Sequence, residues 1–180
     1  MGDIGATNAR FALVEPGSSE IKNIENLKCS DFEDIQSAIL FYLLDLSDIE
    51  IQAACFATAG TVHLDTFKLA NNHWTINKSE VASVLKDVDI NWINDFTAQA
   101  LATTTLTDSD VAVINKGIAK PEKLRLVIGP GTGLGVCGLV MTKSGWVPIA
   151  GEGGHSDFAP NTKLEFEILT LLTKKFGHVA

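Results

Sequence analysis

No apolar run in this chain approaches the length of a bilayer span; the longest, around Ile39 to Leu46, makes about two turns of helix. Basic residues are scarce as well. Fourteen Lys and Arg stand against 22 Asp and Glu, a formal net charge of −8 and a pI near 4.9. That balance argues against a nucleic-acid or anionic-membrane surface, though not against a nucleotide, whose phosphate site is local. Cysteine is limited to Cys29, Cys55 and Cys137, odd in number and with no zinc or redox spacing. They read as small buried hydrophobes in a reducing compartment. The first residues carry no basic-then-apolar signal pattern, so the expected location is the cytoplasm. No Gly-Lys-Ser or Gly-Lys-Thr occurs, which excludes a Walker-type nucleotide loop. What remains is an ordinary globular composition, 46% apolar and 20% charged, over 180 residues, long enough to bury a core.

Two glycine-rich stretches stand out, with a polar-ended strand between them. Ile90-Asn91-Trp92-Ile93 reads as a short apolar strand that delivers Asn94 and Asp95 to its end. Gly2-Asp3-Ile4-Gly5-Ala6-Thr7-Asn8-Ala9-Arg10 precedes it, and Gly129-Pro130-Gly131-Thr132-Gly133-Leu134-Gly135 follows. A carboxylate set between two backbone-rich anion cradles suits phosphoryl transfer to a hydroxyl. One group orients the hydroxyl and takes its proton, while many N–H donors hold the phosphates.

Each feature has a plainer reading too. In the first stretch Asp3 suits magnesium or its waters, Gly5 permits close backbone approach, and Thr7 and Asn8 can donate hydrogen bonds. Alone, it is equally a hairpin with polar turn residues. The second stretch runs into Gly133-Leu134-Gly135-Val136-Cys137-Gly138, which fits Gly-x-Gly-x-x-Gly. A dinucleotide site wants a helix opening there, whereas Val136 to Met141 reads as a strand. The residues alone leave Asp95 open between a helix N-cap and a general base. Glu152 and His155, in Gly151-Glu152-Gly153-Gly154-His155, lack a third metal ligand and suit hydroxyl groups better.

The remaining pattern predicts strands at Phe11–Val14, Ile21–Leu27 and Ile51–Ala57, and two short strands within Thr61–Ala70. Ser30 with Glu33, and Asn77 with Glu80, are at capping-box spacing ahead of two amphipathic helices. A small-residue helix is expected from about Thr97 to Thr103, with a domain boundary at residue 106 in the polar stretch that follows. Beyond it, strands are expected at Val111–Ile114 and Leu124–Ile128, then a hairpin turning near Lys143-Ser144-Gly145. A last helix starts near Thr162, with Leu164, Ile168, Leu171, Leu172 and Phe176 inward and Gly177 as C-cap.

The four motif segments resemble the bacterial glucokinase family, hexokinase relatives within the actin-like ATPase superfamily. Asp3 to Arg10 is similar to its first phosphate loop, Asn94-Asp95-Phe96 to its sugar and catalytic loop, and Gly129 to Gly135 to its second phosphate loop. Gly151 to His155, running on to Pro160, is similar to its second sugar loop, and Asn71 ahead of Trp74 to a further sugar-facing loop. The resemblance covers the whole chain and implies an α/β, actin-like ATPase (ribonuclease H-like) fold. Residues 1–106 would be the small domain and 107–180 the start of the large one. It implies ATP-dependent phosphorylation of glucose to glucose 6-phosphate with Mg2+, and favours Asp95 as the base. Gly2, Asp3, Ile4, Gly5, Ala6, Thr7, Asn8, Gly131, Thr132 and Gly133 would serve the nucleotide; Asn71, Asn94, Asp95, Glu152 and His155 would serve the sugar.

The family also has a strand of about 5–6 residues ahead of its first loop and continues past Ala180, so an incomplete, inactive form is expected. A homodimer is one expectation for assembly. Ala6 stands where the family usually has glycine, an expected cost of ~1 kcal/mol if that position needs positive φ. Thr61 stands where proline is usual. A related repressor-containing group carries a cysteine-rich zinc motif by its second sugar loop, and none follows His155. The rival readings are a non-catalytic sugar-binding or regulatory remnant, and a kinase for another hexose.

Overall fold

Backbone and side chains are described in a computed structural model for every residue except Ser47, Thr61, Ala70, Asp87, Ala119, Pro121, Gly131, Thr132 and Gly133. The chain divides into two compact units, Met1–Ala98 and Gln99–Ala180.

In the first unit a five-stranded sheet has the order β3-β2-β1-β4-β7. The strands are β1 (Gly2–Ile4), β2 (Asn8–Val14), β3 (Ile21–Lys28), β4 (Ala53–Thr58) and β7 (Asp89–Asn94). The opening residues of the first glycine stretch, expected as loop, are therefore the central strand. β1 pairs antiparallel with β2 and parallel with β4, and β4 pairs parallel with β7. Three residues suffice for β1 because both of its edges are hydrogen-bonded and its inward side chains are fully covered. Gly2 lies beneath the rings of Phe56 and Phe11, and Ile4 is buried. The core on this face adds Tyr42, stacked on Phe11 at 5.4 Å, and Trp92, 4.9 Å from Phe56.

Helix α1 (Ile35–Leu43) starts later than expected. Ser30 does not cap it, because Cys29–Asp31 form a 3-10 turn and the Ser30 hydroxyl donates to Asp31 at 3.0 Å. Cys29 is buried and its N–H is held by the Thr7 carbonyl at 2.9 Å, which fixes that turn. Asp34 caps the helix instead, accepting from the Ser37 N–H at 2.7 Å in a reciprocal capping box. The Asn77 cap of helix α2 (Lys78–Val84) is as expected, its Oδ1 accepting from Ser79 and Glu80. The two short strands are β5 (Thr66–Lys68) and β6 (Thr75–Asn77), an antiparallel pair whose second member lies beyond the predicted segment. The loop between them contains Asn71 at φ 56°, a left-handed backbone that asparagine tolerates.

The second unit has a three-stranded antiparallel sheet of β8 (Arg125–Pro130), β9 (Leu134–Thr142) and β10 (Gly145–Gly151), in the order β10-β9-β8. Val111–Ile114 is not a strand. The 3-10 turn Asp108–Asp110 precedes it, no partner ladder exists among the described residues, and Ile114 is fully exposed. Helix α4 (Lys163–Phe176) has the expected Thr162–Glu165 capping box, and Gly177, at φ 83°, closes it through its N–H to the Thr173 carbonyl. Its apolar stripe does not face inward: Leu164, Ile168, Leu171 and Phe176 are exposed, since no described element of the unit covers them.

A Cβ on Gly2 would stand 2.6 Å from the Phe56 ring. We expect Gly2→Ala to lower stability by about 1–3 kcal/mol through overpacking, read as a lower denaturant midpoint at constant slope. An unchanged midpoint would mean that the sheet has slack at its centre.

Candidate active site

The parallel strands of the first unit end in one row. Ile4 lies opposite Thr58, and Thr58 opposite Asn94, so three neighbouring strands stop at the same level. Ligands of open α/β sheets bind beyond the carboxyl ends of such strands. The Gly5 turn follows Ile4, Ala59 and Gly60 follow Thr58, and Asp95 follows Asn94.

The Gly5 turn is braced from behind. Gly5 N–H donates to the Asn8 carbonyl at 2.9 Å, and Cys29 N–H to the Thr7 carbonyl at 2.9 Å. Burial pushes the Cys29 thiol above its usual range, which keeps it protonated, and its Sγ lies 3.7 Å from the Gly5 carbonyl. At the exposed tip, the N–H groups of Ala6 and Thr7 donate to no acceptor among the described residues. Two adjacent uncommitted amides on an exposed turn suit a phosphate oxygen. Ala6 is not at positive φ, so the cost expected for its missing glycine does not arise. Asp3 is half exposed and paired with Arg10 across β1 and β2 at 3.0 Å. The side chain of Ile4 belongs to the core, and Gly2 packs against aromatic rings, so these two can offer a ligand only backbone.

Asn94 and Asp95 divide their work. Asn94 Oδ1 accepts from Phe96 N–H at 2.9 Å and from Thr97 N–H at 3.3 Å, capping helix α3 (Asp95–Ala102). Asp95 is thus the first helical residue rather than the cap. Its Oδ1 takes Phe96 N–H at 2.9 Å, and among the described residues nothing bonds Oδ2. A half-buried carboxylate with one oxygen uncommitted at a helix N-terminus is equipped to accept a proton.

Sequence reasoning missed Asn72. It is 8% exposed, its Oδ1 accepts from Trp74 N–H at 2.8 Å, and its Nδ2 donates to the Gly5 carbonyl at 3.1 Å. The local signal was an asparagine two residues before a tryptophan, the spacing of an Asx turn. The contact to Gly5, 67 residues away, had no signal. Neighbouring Asn71 is exposed.

In the second unit β8 and β9 flank the second glycine stretch, pairing antiparallel with Pro130 opposite Leu134. This bears out strand over helix and removes the dinucleotide reading. Gly131, Thr132 and Gly133 lie outside the described residues, as does Thr61. Glu152 and His155 come together: His155 Nδ1 is 3.2 Å from Glu152 Oε2, with the side chains 79% and 81% exposed. The 3-10 turn Gly153–His155 holds them and packs on the start of β9. A Cβ on Gly153 would stand 2.7 Å from Val136, and one on Gly154 2.2 Å from the Leu134 carbonyl oxygen. Among the described residues no group of three His, Cys, Asp or Glu could hold a metal, and no helix is long and apolar enough to cross a membrane.

A mixed α/β sheet with a glycine turn after β1 and an Asn-Asp pair at the end of β7, one strand between them, has the character of the actin-like ATPase class, and known proteins bear this out. The family model described as Glucokinase matches residues 1–180, and the chain belongs to the glucokinase family. It is 46% identical to the glucokinase of Hahella chejuensis over 180 residues, which is 100% of this chain and 56% of that protein. The crystal structure of glucokinase from an Antarctic psychrotroph superimposes with a TM-score of 0.83 at 34% identity, covering 99% of this chain and 57% of that one. Glucokinase from Balamuthia mandrillaris, solved in complex with glucose, shares the fold at a TM-score of 0.69 and 22% identity, over 97% of this chain and 54% of that one. The chain spans about half the length of the curated relatives it matches.

We expect Gly154→Ala to displace the 3-10 turn, because the clash is with backbone. Amide NMR shifts should move from Glu152 to Ser156 and at Leu134, with the first unit unchanged. A spectrum altered only at the substituted residue would mean the turn accommodates a Cβ.

Proposed function

We propose that the protein carrying this chain transfers a phosphoryl group from ATP to the 6-hydroxyl of glucose. The observation that carries the reading is the row of strand ends. It sets a turn with uncommitted amides and a carboxylate with an uncommitted oxygen at the same end of one sheet. Family membership supports it.

In this reading the Ala6 and Thr7 amides, with Thr7, Asn8 and the Gly131-Thr132-Gly133 segment, hold nucleotide phosphates. Asp3, its carboxylate kept in place by Arg10, would hold Mg2+, which would offset the phosphate charge. Asp95 takes the proton from the attacking hydroxyl through Oδ2. The amide of Asn94 retains Nδ2 as a donor for a sugar hydroxyl, since its oxygen is used by the cap. Glu152 and His155, whose side chains are both exposed, bind further hydroxyls, as does Asn71. A cytoplasmic location and a homodimer belong to the same reading. Light scattering tests the dimer, and assay of the full-length protein on a panel of hexoses tests the choice of glucose.

Asp95→Asn preserves shape and the helix N-terminus but cannot take a proton. We expect it to lower turnover by about 10²–10⁴, with glucose still bound in calorimetric titration. Near-normal turnover would remove Asp95 from the role of base. Glucose phosphorylation absent in the unsubstituted full-length protein, with glucose bound, would favour the non-catalytic sugar-binding reading.

A further inference from the structure

Asn72 has no part in the reaction just described, yet both ends of its side chain are committed inside the first unit. Oδ1 holds Trp74 N–H, and Nδ2 holds the Gly5 carbonyl. At one end, the loop that contains Asn71 is anchored at its base. Leu69 N–H donates to the Trp74 carbonyl at 3.2 Å, Trp74 is 1% exposed, and its Nε1 donates to the Phe32 carbonyl at 3.2 Å. At the other end, the Gly5 carbonyl belongs to the turn whose tip presents the Ala6 and Thr7 amides. Among the described residues, the Asn72–Gly5 bond is the one side-chain hydrogen bond joining these two loops.

The reading above gives these loops to different ligands, the turn to nucleotide and Asn71 to sugar. Adjacent Cα atoms are about 3.8 Å apart, and the Trp74 anchor stops the loop from pivoting freely. A shift of Asn71 would therefore be shared by Asn72, whose Nδ2 holds the Gly5 carbonyl. We infer that Asn72 is a positioning residue that ties the Asn71 loop to the Gly5 turn, so that sugar and nucleotide each raise the affinity for the other. The inference rests on the glucose and ATP reading and adds regulation to that site. Such coupling must be reciprocal.

The test uses the full-length protein. Glucose is titrated calorimetrically, alone and with a non-hydrolysable ATP analogue and Mg2+, in wild type and in Asn72→Asp. The substitution is isosteric and keeps the acceptor for Trp74 N–H, but it turns an oxygen toward the Gly5 carbonyl. We expect the analogue to tighten glucose binding in wild type, and that gain to shrink by about fivefold or more in the variant, with affinity for glucose alone little changed. In the ligand-free variant, hydrogen exchange at the Gly5 amide should quicken several-fold while amides of β4 keep their protection. An equal gain in both proteins, no gain in a wild type that binds both ligands, or unchanged Gly5 exchange overturns the role of Asn72. A wild type that binds neither ligand sinks the glucose and ATP reading itself, and the inference with it. If circular dichroism shows Asn72→Asp to be unfolded, Asn72→Ser, small and uncharged, is judged by the same criteria.

Discussion

Everything in the first unit depends on a strand of three residues being bonded along both edges. β1 joins an antiparallel hairpin on one side to a parallel pair on the other. Without it β2 and β3 would form an isolated hairpin, marginal in water, and β4 with β7 would lose a neighbour. The constraint explains why the smallest residue occupies Gly2. The central strand must pass under two aromatic rings while keeping its backbone in the ladder. It also explains why the glycine turn can be so exposed at its tip and still be ordered at its base. The turn grows directly from a strand bonded along both edges, and Cys29 and Asn72 brace its carbonyl side.

The two units differ in how completely they are built. The first has a continuous core running from the sheet through Tyr42 and Trp74 to Val81. In the sheet of the second, Cys137 and Leu139 are the well-buried hydrophobics among the described residues, and Leu126, Ile128 and Ile149 remain exposed on one face. The Arg125 guanidinium sits 4.3 Å over the Trp146 ring and donates to the Thr103 carbonyl at 2.7 Å, covering part of the opposite face. Glu152 and His155 therefore rest on local packing of glycines against β9 rather than on a deep core.

What was legible in the sequence was local. The Asn94-Asp95 pair at a strand end, the Asn77 cap, the Thr162–Glu165 box and the Gly177 stop all act within a few residues, and all appear where expected. What was not legible depends on distant partners. β1 looked like loop because three residues carry no periodicity, and only pairing with Phe11 and Phe56 makes them a strand. Ser30 had the right spacing for a cap, but the Cys29–Thr7 bond drew that segment into another turn. Val111–Ile114 had the right composition and no ladder to join. The apolar stripe of α4 was correctly periodic, yet periodicity identifies a face without saying what lies against it. Asn72 was the costliest omission, since a polar residue beside a better-known motif position gives no outward sign of being buried.

The level row of strand ends also acts as a ruler. Neighbouring strands lie about 4.8 Å apart, so Ile4 and Asn94, two strands removed, are about 10 Å apart by construction. No loop has to supply that spacing, so insertions beyond Gly60 leave it untouched. A slip of one residue between β4 and β7 would be another matter. It would carry Asn94 about 3.3 Å along the sheet and turn its side chain to the opposite face. The spacing of these strand ends is thus set by the ladder, where Phe56 facing Trp92 and Thr58 facing Asn94 hold the register.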